Sequence, residues 1–309
     1  MKEKFSRSDV ETVKYVTTLI KRCQTNPGDS DTERLFSELR RKIHQMDFYD
    51  FISGVILKKS KVLDDGQGLT VIFDKQRNGG VEYPWDIRAD AEALYLRWLT
   101  GVVDPHLLRG INTVKRLTGS IKRTTHKLES DNPNRTSCDY AGAGDLQNGQ
   151  WWPLQICAMR DGAHGEIEAG IHGKPDKGAL SVVMSSGGYA DVDEGTSIQY
   201  CGTSGSAGKP TAGTNYLKEA SRTRNPVRVL RSSALPARNP YRPSRGLRYD
   251  GLYDVIDFEV LDEETAMHRF SLKRREGQDP IRHKGVEARP TNEEVAEYTK
   301  IRGLLNLSS

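Results

Sequence analysis

Long apolar runs are missing from this 309-residue chain; none approaches the length needed to cross a bilayer. The first residues, MKEKFSRSDVETVKYV, lack a secretory apolar core, so the start is read as mature and intracellular. Cysteine is scarce and scattered. Cys23, Cys138, Cys157 and Cys201 form no close pair, which argues against a disulfide framework and against zinc-ligand spacing. A reducing compartment is expected, with no metal and no cofactor. Neither sign of charge dominates: 46 Lys and Arg against 42 Asp and Glu leave a net +4. No internal repeat is visible.

The distribution of charge says more than its sum. From Arg222 to Arg248 there are eight arginines (222, 224, 228, 231, 238, 242, 245 and 248) and no acid. A basic stripe in a nearly balanced chain is the electrostatic footprint of a polyphosphate partner. Arginines lying over their own surface would give the same pattern.

Residues 1–130 read as helical and residues 131–149 as a polar, glycine-rich linker. Ser8-x-x-Glu11 and Ser30-x-x-Glu33 match capping boxes. Leu35, Leu39, Ile43 and Met46 share one helical face, with Phe36 beside it. Ile87, Ala91, Leu94, Tyr95 and Trp98 stripe a third helix that Gly101 ends. An amphipathic helix is expected over 105–128, with Lys115, Arg116, Lys122, Arg123 and Lys127 on its polar side. Residues 150–281 change texture. Short strand-like runs are expected at 152–159, 180–184, 197–201, 227–230, 253–258 and 268–273, with one helix at 216–222. The charged tail, 282–309, is expected to be loosely held, with a short helix over 292–305. The fold class is α+β.

Six landmarks follow in order: Ala169-Gly170-Ile171-His172-Gly173, Ser186-Gly187-Gly188-Tyr189, Asp191-Val192-Asp193, Tyr200-Cys201-Gly202, the run Asn225 to Arg231, and Arg248-Tyr249-Asp250-Gly251-Leu252-Tyr253. Together they resemble the SRA, or YDG, family, whose members read 5-methylcytosine by base flipping. Any one motif is weak; the ordered set is specific, and it covers about residues 145–280.

The resemblance implies a PUA-like, saddle-shaped β-barrel after an N-terminal helical bundle. It implies a nuclear protein of chromatin that binds methylated duplex DNA and does no chemistry on the base. Tyr189 and Tyr200 match the family's stacking tyrosines, each worth roughly 1–3 kcal/mol against a flipping cost of a few kcal/mol. Asp191 matches the carboxylate that accepts from the cytosine amino group, with Asp193 as fallback. Gly187, Gly188 and Cys201 fall where backbone N–H donors are needed, and Gly170 and Ser186 where the walls are. A buried methyl contributes about 0.8 kcal/mol, so discrimination is expected to be modest. His172, Lys174, Lys209, Arg228 and Arg231 are candidate phosphate contacts.

Departures bear on specificity. The Tyr189–Tyr200 spacing is one residue short of the animal pattern. Glu168 stands where an apolar wedge is expected, Cys201 replaces threonine, and the loop 202–215 carries only Lys209 as a cation. The alternative is a scaffold with a degenerate pocket. His164-Gly165-Glu166 matches the H-x-E of zinc deaminases, but no P-C-x-x-C follows, so deamination is rejected. The first region loosely resembles the helical bundles of transcription-elongation-factor N-termini, which implies binding of chromatin proteins.

Overall fold

The computed structural model describes residues 6–25, 30–118, 121–129, 135–186 and 191–307. The chain divides into two compact units, Met1–Arg109 and Gly110–Ser309.

The first unit is helical: α1 (Arg7–Thr25), α2 (Thr32–Met46), α3 (Gly54–Ser60), α4 (Thr70–Phe73) and α5 (Trp85–Leu99). The expected apolar faces meet in its core. Leu35, Phe36, Leu39, Ile43 and Met46 of α2 pack with Val13, Val16, Leu19 and Ile20 of α1 and with Ile87, Ala91, Leu94 and Trp98 of α5. Polar pairs one turn apart tie α2 to α5: Arg40 Nε to Asp86 Oδ2 at 2.5 Å and His44 Nε2 to Asp90 Oδ2 at 2.8 Å. The first capping box lies two residues earlier than the sequence indicated. Ser6 Oγ accepts from Asp9 N–H at 3.1 Å, and the Asp9 carboxylate accepts from Ser6 N–H at 3.0 Å. At α2 the N-cap is Asp31 rather than Ser30.

The second unit opens with a correction. Residues 105–128 do not form a helix; β1 (Ile111–Thr118) and β2 (Ile121–Leu128) pair antiparallel, with Ile111 opposite Leu128 and Thr118 opposite Ile121. There follow β3 (Trp151–Trp152), α6 (Gln155–Arg160), β4 (Ile171–Lys174), β5 (Gly178–Met184), β6 (Val192–Asp193), β7 (Ser197–Cys201), α7 (Ala212–Thr223), β8 (Val227–Ser232), β9 (Leu247–Asp262), β10 (Met267–Arg274) and α8 (Asn292–Leu307). The expected strand at 152–159 thus turns into α6 after Trp152. The main sheet runs β4-β5-β8-β9-β10-β7-β6, with β3 on β9. Among the described residues only β5 and β8 pair parallel. Ala179, Val182, Met184, Val227, Val229, Tyr253, Val255, Phe270 and Leu272 form its core, closed by Leu217 and Ala220 of α7. The fold class is α+β, as expected.

The tail is packed rather than loose. Arg282 is buried, with its stem against Gly149 and its Nε donating to Glu287 O at 2.7 Å. A capping box starts α8: Thr291 Oγ1 accepts from Glu294 N–H at 3.2 Å, and Glu294 Oε2 accepts from Thr291 N–H at 2.7 Å.

Candidate nucleic-acid interface

Strand β7 carries the centre of the candidate site. Its inward residues, Ile198 and Tyr200, are held by β10, where Tyr200 lies opposite Phe270. On the other side β6 pairs for only two residues, Val192 with Gln199 and Asp193 with Ile198. Beyond that short ladder a side chain takes over: Asp191 Oδ1 accepts the backbone N–H of Cys201 at 2.8 Å. Burial, helped by the Asp193 charge and opposed by the Cys201 hydrogen bonds, holds the Asp191 carboxyl above the ordinary aspartate range.

Gly170 completes the group. The Tyr200 hydroxyl donates to Gly170 O at 3.3 Å, and a Cβ on Gly170 would lie 3.0 Å from Tyr200 Oη and 3.4 Å from Val183 O. Of the expected pocket residues, then, Gly170, Asp191, Tyr200 and Cys201 are gathered at one place. Tyr200 is only 6% exposed, so its ring is not an open platform. Ser186 is exposed, two residues beyond β5. Tyr189, Gly187 and Gly188 lie outside the described residues.

Asp193 is not equivalent to its neighbour. Burial opposes its ionisation, but Arg231, Asn239 and the Gly195 N–H outweigh that, and its carboxyl lies below the usual range. Arg231 donates to Asp193 at 2.6 and 2.8 Å and to Asp250 at 2.9 Å, while Arg248 donates to Asp250 at 2.5 and 2.9 Å. Two arginines and two aspartates therefore balance in the interior. Gly251 follows Asp250 at φ +101, where a Cβ would strike Gln278 Oε1 at 2.5 Å. The Tyr249-Asp250-Gly251 motif is architectural.

The candidate phosphate contacts need correction. Arg231 is fully buried in the network just described. Arg228 is fully buried as well and donates to the carbonyls of Cys138, Tyr140, Gly142 and Ala163 at 2.7–3.0 Å. His172 is buried, with Nε2 2.9 Å from Asp139 Oδ1. Lys174 is half-exposed and paired with Asp139 at 3.0 Å, while Lys209 is exposed. The arginine stripe is therefore no continuous surface. Arg228, Arg231 and Arg248 are internal, and Arg222 pairs with Glu219; Arg238 and Arg245 are exposed.

Cys138, Asp139 and His172 bring a thiol, a carboxylate and an imidazole within 4.8 Å of one another. The Lys174 ammonium already occupies Asp139, and burial pushes the Cys138 thiol up, which both oppose a bound cation. His164 is no metal ligand in this arrangement. Its Nε2–H donates to Ala169 O at 2.9 Å, its Nδ1 accepts from Ser181 Oγ at 2.8 Å, and burial lowers its pKa to about 3. Glu166 lies instead 3.6 Å from His172 Nδ1.

Residues 140–278 match the SAD/SRA domain family. A UHRF1-like protein of Cryptococcus neoformans is 33% identical over 162 residues, 45% of this chain and 47% of that protein. The E3 ubiquitin-protein ligase UHRF1 of Rattus norvegicus is 31% identical over 176 residues, 45% of this chain and 23% of the ligase. The alignments thus span less than half the length of these curated relatives. The SUVH5 SRA domain, solved with hemimethylated CG DNA, is 27% identical with a TM-score of 0.39, covering 46% of this chain and 99% of that one.

Proposed function

We propose that residues 140–278, a SAD/SRA domain, bind duplex DNA containing 5-methylcytosine and hold that base outside the helix, without altering it chemically. The observation that carries this reading is the convergence of the Asp191 carboxylate, the Cys201 N–H, the Tyr200 ring and the side-chain-free Gly170. A cytosine edge offers an amino donor beside ring acceptors. The Cys201 N–H holds one oxygen of Asp191, which leaves the other as the acceptor for the amino group, and thymine, with a carbonyl in place of the amino group, would face the carboxylate unfavourably. Because Tyr200 is buried, the base reaches its ring only when neighbouring chain moves aside, and that cost comes on top of unpairing. Contacts to the phosphate backbone then supply most of the affinity, from exposed cations such as Lys209, Arg238 and Arg245.

A nuclear, chromatin-associated role accords with this reading. Among the described residues no helix is long and apolar enough to cross a membrane. A second reading, a scaffold whose pocket no longer opens, draws on the burial of Tyr200 and on Glu168 at the wedge position. Fluorescence titration of plain, hemimethylated and fully methylated duplexes at two salt concentrations separates the two. A reader binds a methylated duplex about fourfold tighter or more, the contribution of one buried methyl, and loses the preference on Asp191→Ala. A scaffold shows neither effect.

A further inference from the structure

The helical unit holds a cleft of about 460 Å³ between α4 and the start of α5. Its apolar walls are Ile72, Phe73 and Val81, and its polar lining includes Tyr83, Arg88 and Lys75. That volume suits one or two side chains of a partner.

The polar lining is unusually short of partners. Tyr83 is 4% exposed, and its hydroxyl is buried without a hydrogen bond. Arg88 Nε is likewise buried without an acceptor among the described residues. Buried donors are nearly always paired in native proteins, and an unpaired one is costly. Arg88 also sits one turn into α5, at the end of a helix where a cation is disfavoured and an anion favoured. Lys75, exposed at the lining, adds a second positive charge, against the single carboxylate of Glu82. Burial raises the Tyr83 hydroxyl pKa, so it stays a neutral O–H donor. Two orphan donors and two cations around apolar walls form a receptor for an acceptor-only group on an apolar carrier.

We infer that this cleft takes the carboxylate of an Asp or Glu that stands beside a bulky apolar residue in a segment of a partner protein. Arg88 and Lys75 would pair with the carboxylate, the Tyr83 hydroxyl would donate to it, and the apolar neighbour would lie against Ile72, Phe73 and Val81. Nothing in this depends on the DNA-binding reading, which concerns the other unit.

The test uses the full chain, with N-acetyl-Asp-Phe-amide as probe, N-acetyl-Asn-Phe-amide as its uncharged isostere and inorganic phosphate as a bare anion. Nitrogen-15 NMR follows the Arg88 Nε–H and the amides of 72–88. The Asp probe should give saturable shifts there and the Asn probe should not. Arg88→Gln should weaken the Asp probe about tenfold, as expected for one lost charge-assisted hydrogen bond. Tyr83→Phe should also weaken it without lowering the melting temperature, because only an unpaired oxygen is removed. The inference is overturned if the Asp probe produces no saturable shift, if the Asn probe matches it, or if Arg88→Gln has no effect. It also fails if phosphate binds the same residues as tightly, which would mark an adventitious ion only.

Discussion

Asp191 Oδ1 lies 2.8 Å from the backbone nitrogen of Cys201, so one carboxylate oxygen is committed to strand β7 before any ligand arrives. The bond fixes the acceptor beside Tyr200 at the point where the β6 ladder stops. Asp191→Asn keeps an oxygen for Cys201 but places an amide donor or a weaker acceptor against the base. The expected result is loss of preference for methylated cytosine with little loss of salt-sensitive duplex binding, read by competition titration.

The same carboxyl sets a pH dependence. Its pKa is raised in the folded chain, chiefly by burial, so the fold favours the protonated form. That contribution is present below the ordinary carboxylate range and fades as pH rises through the raised value. Asp191→Asn should therefore melt at or above wild type near neutral pH, with the difference disappearing in acid. Methylcytosine preference should run the other way in wild type. It should fall as acidification protonates Asp191, at a pH above that of a free aspartate, and melting and titration series across mildly acidic pH check both trends.

Gly170 faces Tyr200 closely enough that an alanine methyl would meet the hydroxyl at 3.0 Å. Gly170→Ala should fold, cost about 1 kcal/mol through overpacking, and reduce base selectivity more than total affinity. Chemical denaturation measures the first effect, and paired titrations on methylated and plain duplexes measure the second.

Buried and exposed arginines should behave differently. Asp250→Ala leaves Arg248 without a carboxylate and Arg231 with Asp193 alone, so one positive charge in the interior is uncompensated, and it should cost roughly 3–5 kcal/mol. Arg238→Gln should leave the melting temperature unchanged and lower the salt slope of DNA binding by about 1. Arg228→Gln should lower stability, because four backbone carbonyls lose their shared donor.

Much of this was readable from residue order. The faces of α2 and α5 follow from apolar spacing, and β7 and β10 from alternation in Ser197–Cys201 and Met267–Arg274. The cations of the β1–β2 hairpin also fit a helical stripe, which is why the sequence points to a helix there. The signal that favours strands was present: Ile111, Thr113, Val114, Thr118, Ile121, Thr124 and Thr125 are β-branched, and Gly119-Ser120 separates the two runs. The arginine stripe misled for another reason. Spacing cannot tell whether a guanidinium meets solvent or an interior carboxylate such as Asp193 or Asp250, since those partners are distant in sequence. The same limit hid the Tyr83–Arg88 cleft, which depends on what fails to reach two side chains and not on any motif.

Base extrusion is the central claim, and one measurement addresses it directly. A duplex carries 2-aminopurine beside the 5-methylcytosine, and its fluorescence is read at saturating protein. Wild type should raise the emission as the neighbouring base leaves the stack, and Asp191→Ala should not, although both occupy the DNA. Saturated binding of wild type to the methylated duplex with no change in emission would contradict the account.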